Sequence, residues 1–349
     1  MIKIDKKGVK RILVIKLRGI GDVILSTIII KNLLKEFPGS EIDYLTEKPS
    51  RMALANVKEI NNFLLLERGS NIAKARLIME IRKRNYDLVL DFFSNPTTAL
   101  ITFFSGARYR AGFPYRGRKY AYNLFGPEER QKYHSADLHT AMLANLGIDA
   151  GYKELLFGIS EEEKNFALDF IKNNGLDGKY IIGLSPSGGW DSKKCPPAKF
   201  AELALAVKNK FDVAMIILWG PGDHSDAVKM KEFLPEDVLL APPTTINQMA
   251  AFFSLCTAVI ANDSGPMHIS AAIGTPTIAL FGPTDPALQG PYGEKNETIR
   301  LDSLFCINCN LTECPRNKEC FNDITAGMMI EKFESAISKN KLNIPVKNG

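Results

Sequence analysis

Residues 257–285 read as strand, tight turn, helix, turn, strand, and that unit leaves little choice of architecture. Residues 257–261 form a short apolar run with β-branched members, the pattern of a buried strand. Asn262, Asp263, Ser264 and Gly265 are turn formers and helix N-cap types. Pro266 suits a first helical turn, where its missing N–H costs little. A helix is expected over 267–273, with Gly274 as its stop. A second strand follows over 276–280, ended by Phe281-Gly-Pro283. Such a unit belongs in a layered α/β fold. Its helix would aim free backbone N–H groups beyond the strand end. That geometry binds phosphate, and it is equally the geometry of an ordinary well-capped helix.

The same organisation recurs at the start of the chain. Residues 11–16 are an apolar run between basic residues, read as the first strand, and Gly19-Ile-Gly-Asp22 as a tight loop. Helical spacing follows over 23–37, then a strand over 41–45, which opens a doubly wound domain. A dinucleotide fingerprint would need a third glycine where Ile24 stands, so nicotinamide binding is a weak reading. With 349 residues the chain is long enough for two domains. At 45% hydrophobic and 24% charged it has an ordinary globular composition, and a net charge of +5 favours acidic partners only weakly. Lys16, Arg18 and Asp22 interrupt the first apolar run, which argues against a signal peptide. No run of about 18 apolar residues is present to span a membrane.

Asp263-Ser-Gly-Pro-Met-His268, followed by Ala271-Ala272, Gly274-Thr-Pro276 and Phe281-Gly-Pro-Thr-Asp285, resembles the donor-binding signature of glycosyltransferase family 9, the lipopolysaccharide core heptosyltransferases. The resemblance is strong over 11–46 and 257–293 and looser between. It implies an α/β GT-B fold, two Rossmann-like doubly wound domains facing a cleft. The expected division is an acceptor-binding domain over 1–155 and a nucleotide-sugar domain over 156–349, with the last helix packing back on the first. It further implies inverting, metal-independent transfer of heptose from ADP-heptose to a lipopolysaccharide core acceptor, without a cofactor. Absence of an Asp-x-Asp motif is consistent with this. Another nucleotide sugar or surface glycan, or a non-catalytic nucleotide-sugar-binding protein, is the alternative. The implied setting is cytoplasmic, at the cytoplasmic face of the inner membrane, with an anionic glycolipid acceptor and peripheral membrane contact; no nucleic-acid motif accompanies it.

Residue by residue, the resemblance places the catalytic base at Asp22. Arg18 stands where many heptosyltransferases have serines, in a loop that the resemblance puts beside the acceptor. Ser187 and Lys193, in Ser185-Pro-Ser-Gly-Gly-Trp-Asp-Ser-Lys-Lys-Cys-Pro196, match the serine and lysine that hold the donor diphosphate, with Cys195 where the family has tryptophan. Asp223 is the nearest match to an acidic residue at the donor ribose or base. Asp263, Ser264, Gly265 and His268 complete the donor set.

Other segments are read from their residues alone. Segment 108–120 holds five basic residues, four aromatics and no acid. It is too polar and Gly/Pro-broken for a core, so it is either a solvated loop or a dock for an anionic glycan, through Arg116 and Arg118. Phe92-Phe-Ser-Asn-Pro96 lies at a strand end, with Asn95 as a turn former or a sugar ligand. His134 and His139, in a helix over 134–146, read as structural or acceptor-side. Ser160-Glu-Glu-Glu163 reads as a capping box. Cys306, Cys309, Cys314 and Cys320 can hold a structural metal, pair as disulfides, or stay as thiols.

Overall fold

The computed structural model describes residues 3–347 and divides into two compact units, one up to Gly158 and one from Ile159. Each unit holds one six-stranded parallel sheet. In the first the strands are β1 (Arg11–Ile15), β2 (Glu41–Thr46), β3 (Asn62–Leu65), β4 (Leu88–Asp91), β5 (Tyr109–Gly112) and β6 (Leu124–Phe125), in the order β3-β2-β1-β4-β5-β6. In the second they are β7 (Ile181–Ser185), β8 (Ala214–Ile217), β9 (Leu239–Leu240), β10 (Ala258–Asn262), β11 (Thr277–Leu280) and β12 (Glu297–Ile299), in the order β12-β11-β10-β7-β8-β9. The two sheets have the same winding. Their central strands β1, β4, β7 and β10 are buried along nearly their whole length, as parallel strands covered on both faces must be.

This order puts a topological switch between β1 and β4 in one sheet and between β7 and β10 in the other. Adjacent strands there send their chains to opposite sides, which leaves a crevice beyond their carboxyl ends. Both candidate loops of the sequence, after β1 and after β10, begin at these crevices.

Local differences from the sequence reading have physical causes. The expected long helix over 23–37 is two helices, Ile20–Ser26 and Ile30–Glu36, joined by a 3₁₀ turn Thr27–Ile29. Ser26 Oγ and Thr27 Oγ1 donate to the carbonyls of Val23 and Ile24 at 2.7 and 2.6 Å, competing with the regular ladder. The first of these helices starts at Ile20, directly after Gly19, so Asp22 lies in a first helical turn rather than in a loop. Segment 108–120 is not excluded from the core: Tyr109, Ala111 and Phe113 are buried, and β5 pairs with both β4 and β6. Arg110 is accommodated because Ala107 and Ala121 carbonyls accept its guanidinium hydrogens. A helix that the sequence reading lacked, Pro96–Phe104, starts from a capping box between Asn95 and Thr98, so Asn95 serves as a cap. Ser160 and Glu163 form their capping box. The closing helix, Ala326–Lys339, packs on the helix Pro197–Lys210 and strand β12 of its own unit.

Candidate active site

Gly19 turns the chain at the end of β1 with φ of +82°, a region that favours glycine. An added Cβ there would stand 2.5 Å from Asp22 Oδ2, so the turn brings backbone and carboxylate close together. The Asp22 side chain is 45% exposed, free to meet a ligand. Below it lies Lys16, a residue that sequence reasoning used only to dismiss a signal peptide. Its side chain is 5% exposed and its Nζ is 3.4 Å from Asp22 Oδ1. Lys16 and Arg18 both face the ring of Phe93, at 5.9 and 5.7 Å from its centroid.

Phe93 comes from the loop after β4, across the switch. Ser94 takes a left-handed conformation there, φ +49°, and a buried carboxylate holds it. Asp91 Oδ1 accepts from the backbone N–H of Phe93 and Ser94, and Asp91 Oδ2 from the Tyr122 hydroxyl. Burial raises the Asp91 pKa, and these hydrogen bonds oppose the rise.

His139 is buried edge-on against Phe92, ring centroids 4.8 Å apart, and His134 caps its helix. Burial, then the charge of Lys16, hold the His139 pKa well below its ordinary 6.5. The native chain therefore refuses a proton that the unfolded chain accepts. His139 costs nothing above about pH 6.5, and stability is lost as pH falls below it, by up to about 1.4 kcal/mol per pH unit. Urea unfolding at pH 7.5, 6.5 and 5.5 is expected to show this slope, and His139→Gln to flatten it. An unchanged slope in the variant removes His139 as its source.

Arg116 and Arg118 belong to the loop after β5. Arg118 lies over the Tyr115 ring at 5.7 Å and borders an open recess of about 760 Å³, with Arg130 and Lys132 as further basic lining and Glu128 and Glu129 as acidic lining. Among the described residues, no hydrogen bond or ion pair joins either arginine to Asp22.

The second switch gathers more of the candidates. Lys193 Nζ and Asp263 Oδ2 are 2.6 Å apart, with side chains only 9% and 3% exposed. Thr284 Oγ1 donates to the same carboxylate, and the Trp190 ring covers the ammonium at 4.4 Å. Ser264 is the N-cap of the helix Gly265–Ala272 but makes no side-chain cap, so the first N–H groups of that helix are left to other acceptors. His268 is buried within this helix. Ser187 Oγ accepts from Gly220 N at 3.2 Å, beside Asp223. Asp223 does not stand alone: Lys194 Nζ is 2.7 Å from both Asp223 and Asp226. Burial pulls the Lys194 ammonium down, but its hydrogen bonds to the two carboxylates outweigh burial and raise its pKa.

Two groups hold these loops in place, Asn262, read from the sequence only as a turn former, and Lys318, which the sequence did not single out. Asn262 donates to the Pro186 carbonyl at 2.8 Å and accepts from Cys195 N at 3.3 Å, tying the loops after β7 and β10 together. Lys318 Nζ, from the cysteine-rich segment, bonds Asp191 and the Lys194 carbonyl. Ser192 also bonds this segment, through Leu311 and Thr312. No local pattern announces either role, since each bridges more than 60 residues.

Against known proteins, the family model for glycosyltransferase family 9 (heptosyltransferase) matches residues 74–319. This chain belongs to glycosyltransferase family 9. A Haemophilus influenzae relative named lipooligosaccharide heptosyltransferase 2 is 26% identical, over 94% of this chain and 99% of its own. A glycosyltransferase family 9 structure from Veillonella parvula superposes with a TM-score of 0.84 at 23% identity, covering 97% of this chain and 99% of that one. The Escherichia coli ADP-heptose lipopolysaccharide heptosyltransferase II gives 0.76 at 22%, covering 95% and 99%. The fold is GT-B, with the repeated parallel sheets described above.

The matched span takes in the whole second switch. Asp22 lies before it. The four clustered cysteines are thiols, and among the described residues no group of three or more histidine, cysteine or acidic side chains is arranged to hold a metal. Burial, then the neighbouring cysteines, push the Cys320 thiol up to about 12.

Proposed function

We propose that this family-9 chain transfers heptose from ADP-heptose to a lipopolysaccharide core acceptor, with inversion and without a metal. The observation that carries the reading is the Lys193–Asp263 pair beside an uncapped helix N-terminus at the second switch. Together these offer an ammonium held in place by Asp263 and free N–H groups to a diphosphate. Two of the proteins compared above, by their names a lipooligosaccharide heptosyltransferase and an ADP-heptose lipopolysaccharide heptosyltransferase, support the choice of substrates.

On this reading the unit from Ile159 binds the donor, through Ser187, Lys193, Asp223, Asp263, Ser264, Gly265 and His268. The unit up to Gly158 binds the acceptor and supplies Asp22. The Asp22 carboxylate takes the proton of the acceptor hydroxyl as that oxygen bonds to the anomeric carbon. The bond from this carbon to the diphosphate breaks on the opposite face, and ADP leaves with the electron pair. Lys193 and the helix N-terminus meet the charge that develops on the leaving oxygen. Lys16 acts through Asp22 as a positioning residue, orienting its carboxylate. Arg18, Arg116 and Arg118 receive the anionic groups of the acceptor, arginine being able to grip carboxylate or phosphate by paired hydrogen bonds. The setting is the cytoplasmic face of the inner membrane.

Calorimetry with ADP, UDP and GDP sugars, followed by transfer assays with the sugar that binds, tests the reading. Binding selective for ADP-heptose and one product of inverted configuration are expected. Selectivity for another nucleotide, or binding without transfer, sinks it. Arg116→Ala with Arg118→Ala is expected to raise the acceptor KM and leave donor affinity unchanged. That effect should shrink with salt, because exposed charges are screened beyond about 8–10 Å at physiological ionic strength. Steady-state kinetics with the acceptor varied at low and high salt reads both. An unchanged KM places the acceptor elsewhere.

A further inference from the structure

The helix Pro96–Phe104 buries Ala99, Ile101 and Thr102 and turns Leu100, Phe103 and Phe104 outward. These three, spaced i, i+3 and i+4, share one helix face, and they are 44%, 43% and 47% exposed. Tyr120, 52% exposed, extends the patch: its ring is 5.6 Å from Phe103, which is 5.2 Å from Phe104. Single exposed apolar residues need no explanation, but a contiguous aromatic patch marks an interaction surface.

The segment that carries it is basic. Between Asp91 and Glu128 the chain has five basic residues and no acid. Arg108, Arg116 and Lys119 are exposed, and among the described residues none of them is ion-paired. At the end of the helix, Arg82 Nη1 donates to the Phe104 carbonyl at 3.3 Å.

We infer that this patch docks the first unit on an anionic phospholipid bilayer. Phenylalanine and leucine enter the boundary between headgroups and acyl chains, the tyrosine hydroxyl stays at headgroup level, and arginine and lysine meet lipid phosphates. A second copy of the chain is a poorer occupant, because self-association through the patch sets two basic rims against each other. Lys119 and Tyr120 follow directly on the proposed acceptor loop of Arg116 and Arg118. Docking would present a lipid-anchored acceptor to that loop, a consequence that rests on the proposed function; the surface itself does not.

Cosedimentation of the full chain with phosphatidylcholine vesicles, with and without phosphatidylglycerol, tests it. The chain is expected to bind the anionic vesicles, less so as salt rises. Phe103→Ser with Phe104→Ser should lower partitioning at least about tenfold. Arg108→Gln with Lys119→Gln should lower it by roughly fivefold per charge and weaken its salt dependence. All four positions are exposed, and thermal unfolding close to that of the parent checks the fold. Turnover of a delipidated acceptor by the Phe103/Phe104 variant should be unchanged. Absence of vesicle binding, or equal binding by both variants, overturns the inference. So does a parent homodimer that the Phe103/Phe104 variant dissociates. Vesicle binding needs neither donor nor acceptor, so its loss in the variants of a chain that transfers no sugar would sink the functional reading and leave this surface standing.

Discussion

Asp22→Asn is expected to lower kcat by about 10²–10⁴-fold, the range for loss of a general base. The side chain is exposed and, among the described residues, no cap of the helix Ile20–Ser26 depends on it, so the fold should survive. ADP affinity should hold, because every donor candidate lies in the other unit. The amide keeps the shape of the carboxylate but cannot take the hydroxyl proton. It also leaves Lys16, buried and 3.4 Å away, without the carboxylate it faces. Lys16→Met separates the two effects. It keeps the base and removes the cation that orients it, and a displaced base can cost about 10²-fold. Both variants should fall in kcat with little change in either KM, the mark of an interaction made in the transition state. Rapid-quench turnover with both substrates saturating reads this directly. A well-folded Asp22→Asn enzyme with near-normal kcat removes Asp22 from the chemistry.

Lys193→Ala should produce two separate losses. Donor binding should weaken by about 1.5–3 kcal/mol, the scale of a hydrogen bond to a charged group. Stability should also fall, by about 3–5 kcal/mol, because Asp263 is left as a buried charge without its partner. The second loss can hide the first, so a companion variant is needed. Lys193→Met with Asp263→Asn removes both charges together and should recover much of the stability while donor affinity stays weak. Denaturant unfolding and ADP calorimetry on the single and double variants read the two quantities. If the double variant regains ADP affinity along with stability, the pair is a structural bridge and the diphosphate is held elsewhere.

Much of this molecule was legible in its residues because the signals were local. Residues 257–285 carry a strand, a turn, a helix N-terminus and a stop within one contiguous stretch, and β10, the helix Gly265–Ala272 and β11 follow that plan. The capping box at Ser160 and the first strand are local in the same sense. Segment 108–120 misled because its arginines outvoted its aromatics in composition. Pairing with β4 and β6 decides that Tyr109 and Phe113 point into the core, and pairing partners are remote in sequence. The helix Pro96–Phe104 was hidden for a related reason: Asn95-Pro96 has turn composition, and only the side-chain bonds between Asn95 and Thr98 turn it into a cap. The same division runs through the site. Asp22, Lys193 and Asp263 stand in recognisable loops, whereas their partners are set by the winding of the sheets. A lysine inside an apolar strand, Lys16, gains meaning only when the turn at Gly19 folds Asp22 back over it. Asn262 and Lys318 look like any turn asparagine and surface lysine until strand order places Pro186, Cys195 and Asp191 within reach. Short-range preferences choose an element, but contacts between elements far apart in the chain choose its neighbours, and charge pairing at a crevice is a property of neighbours.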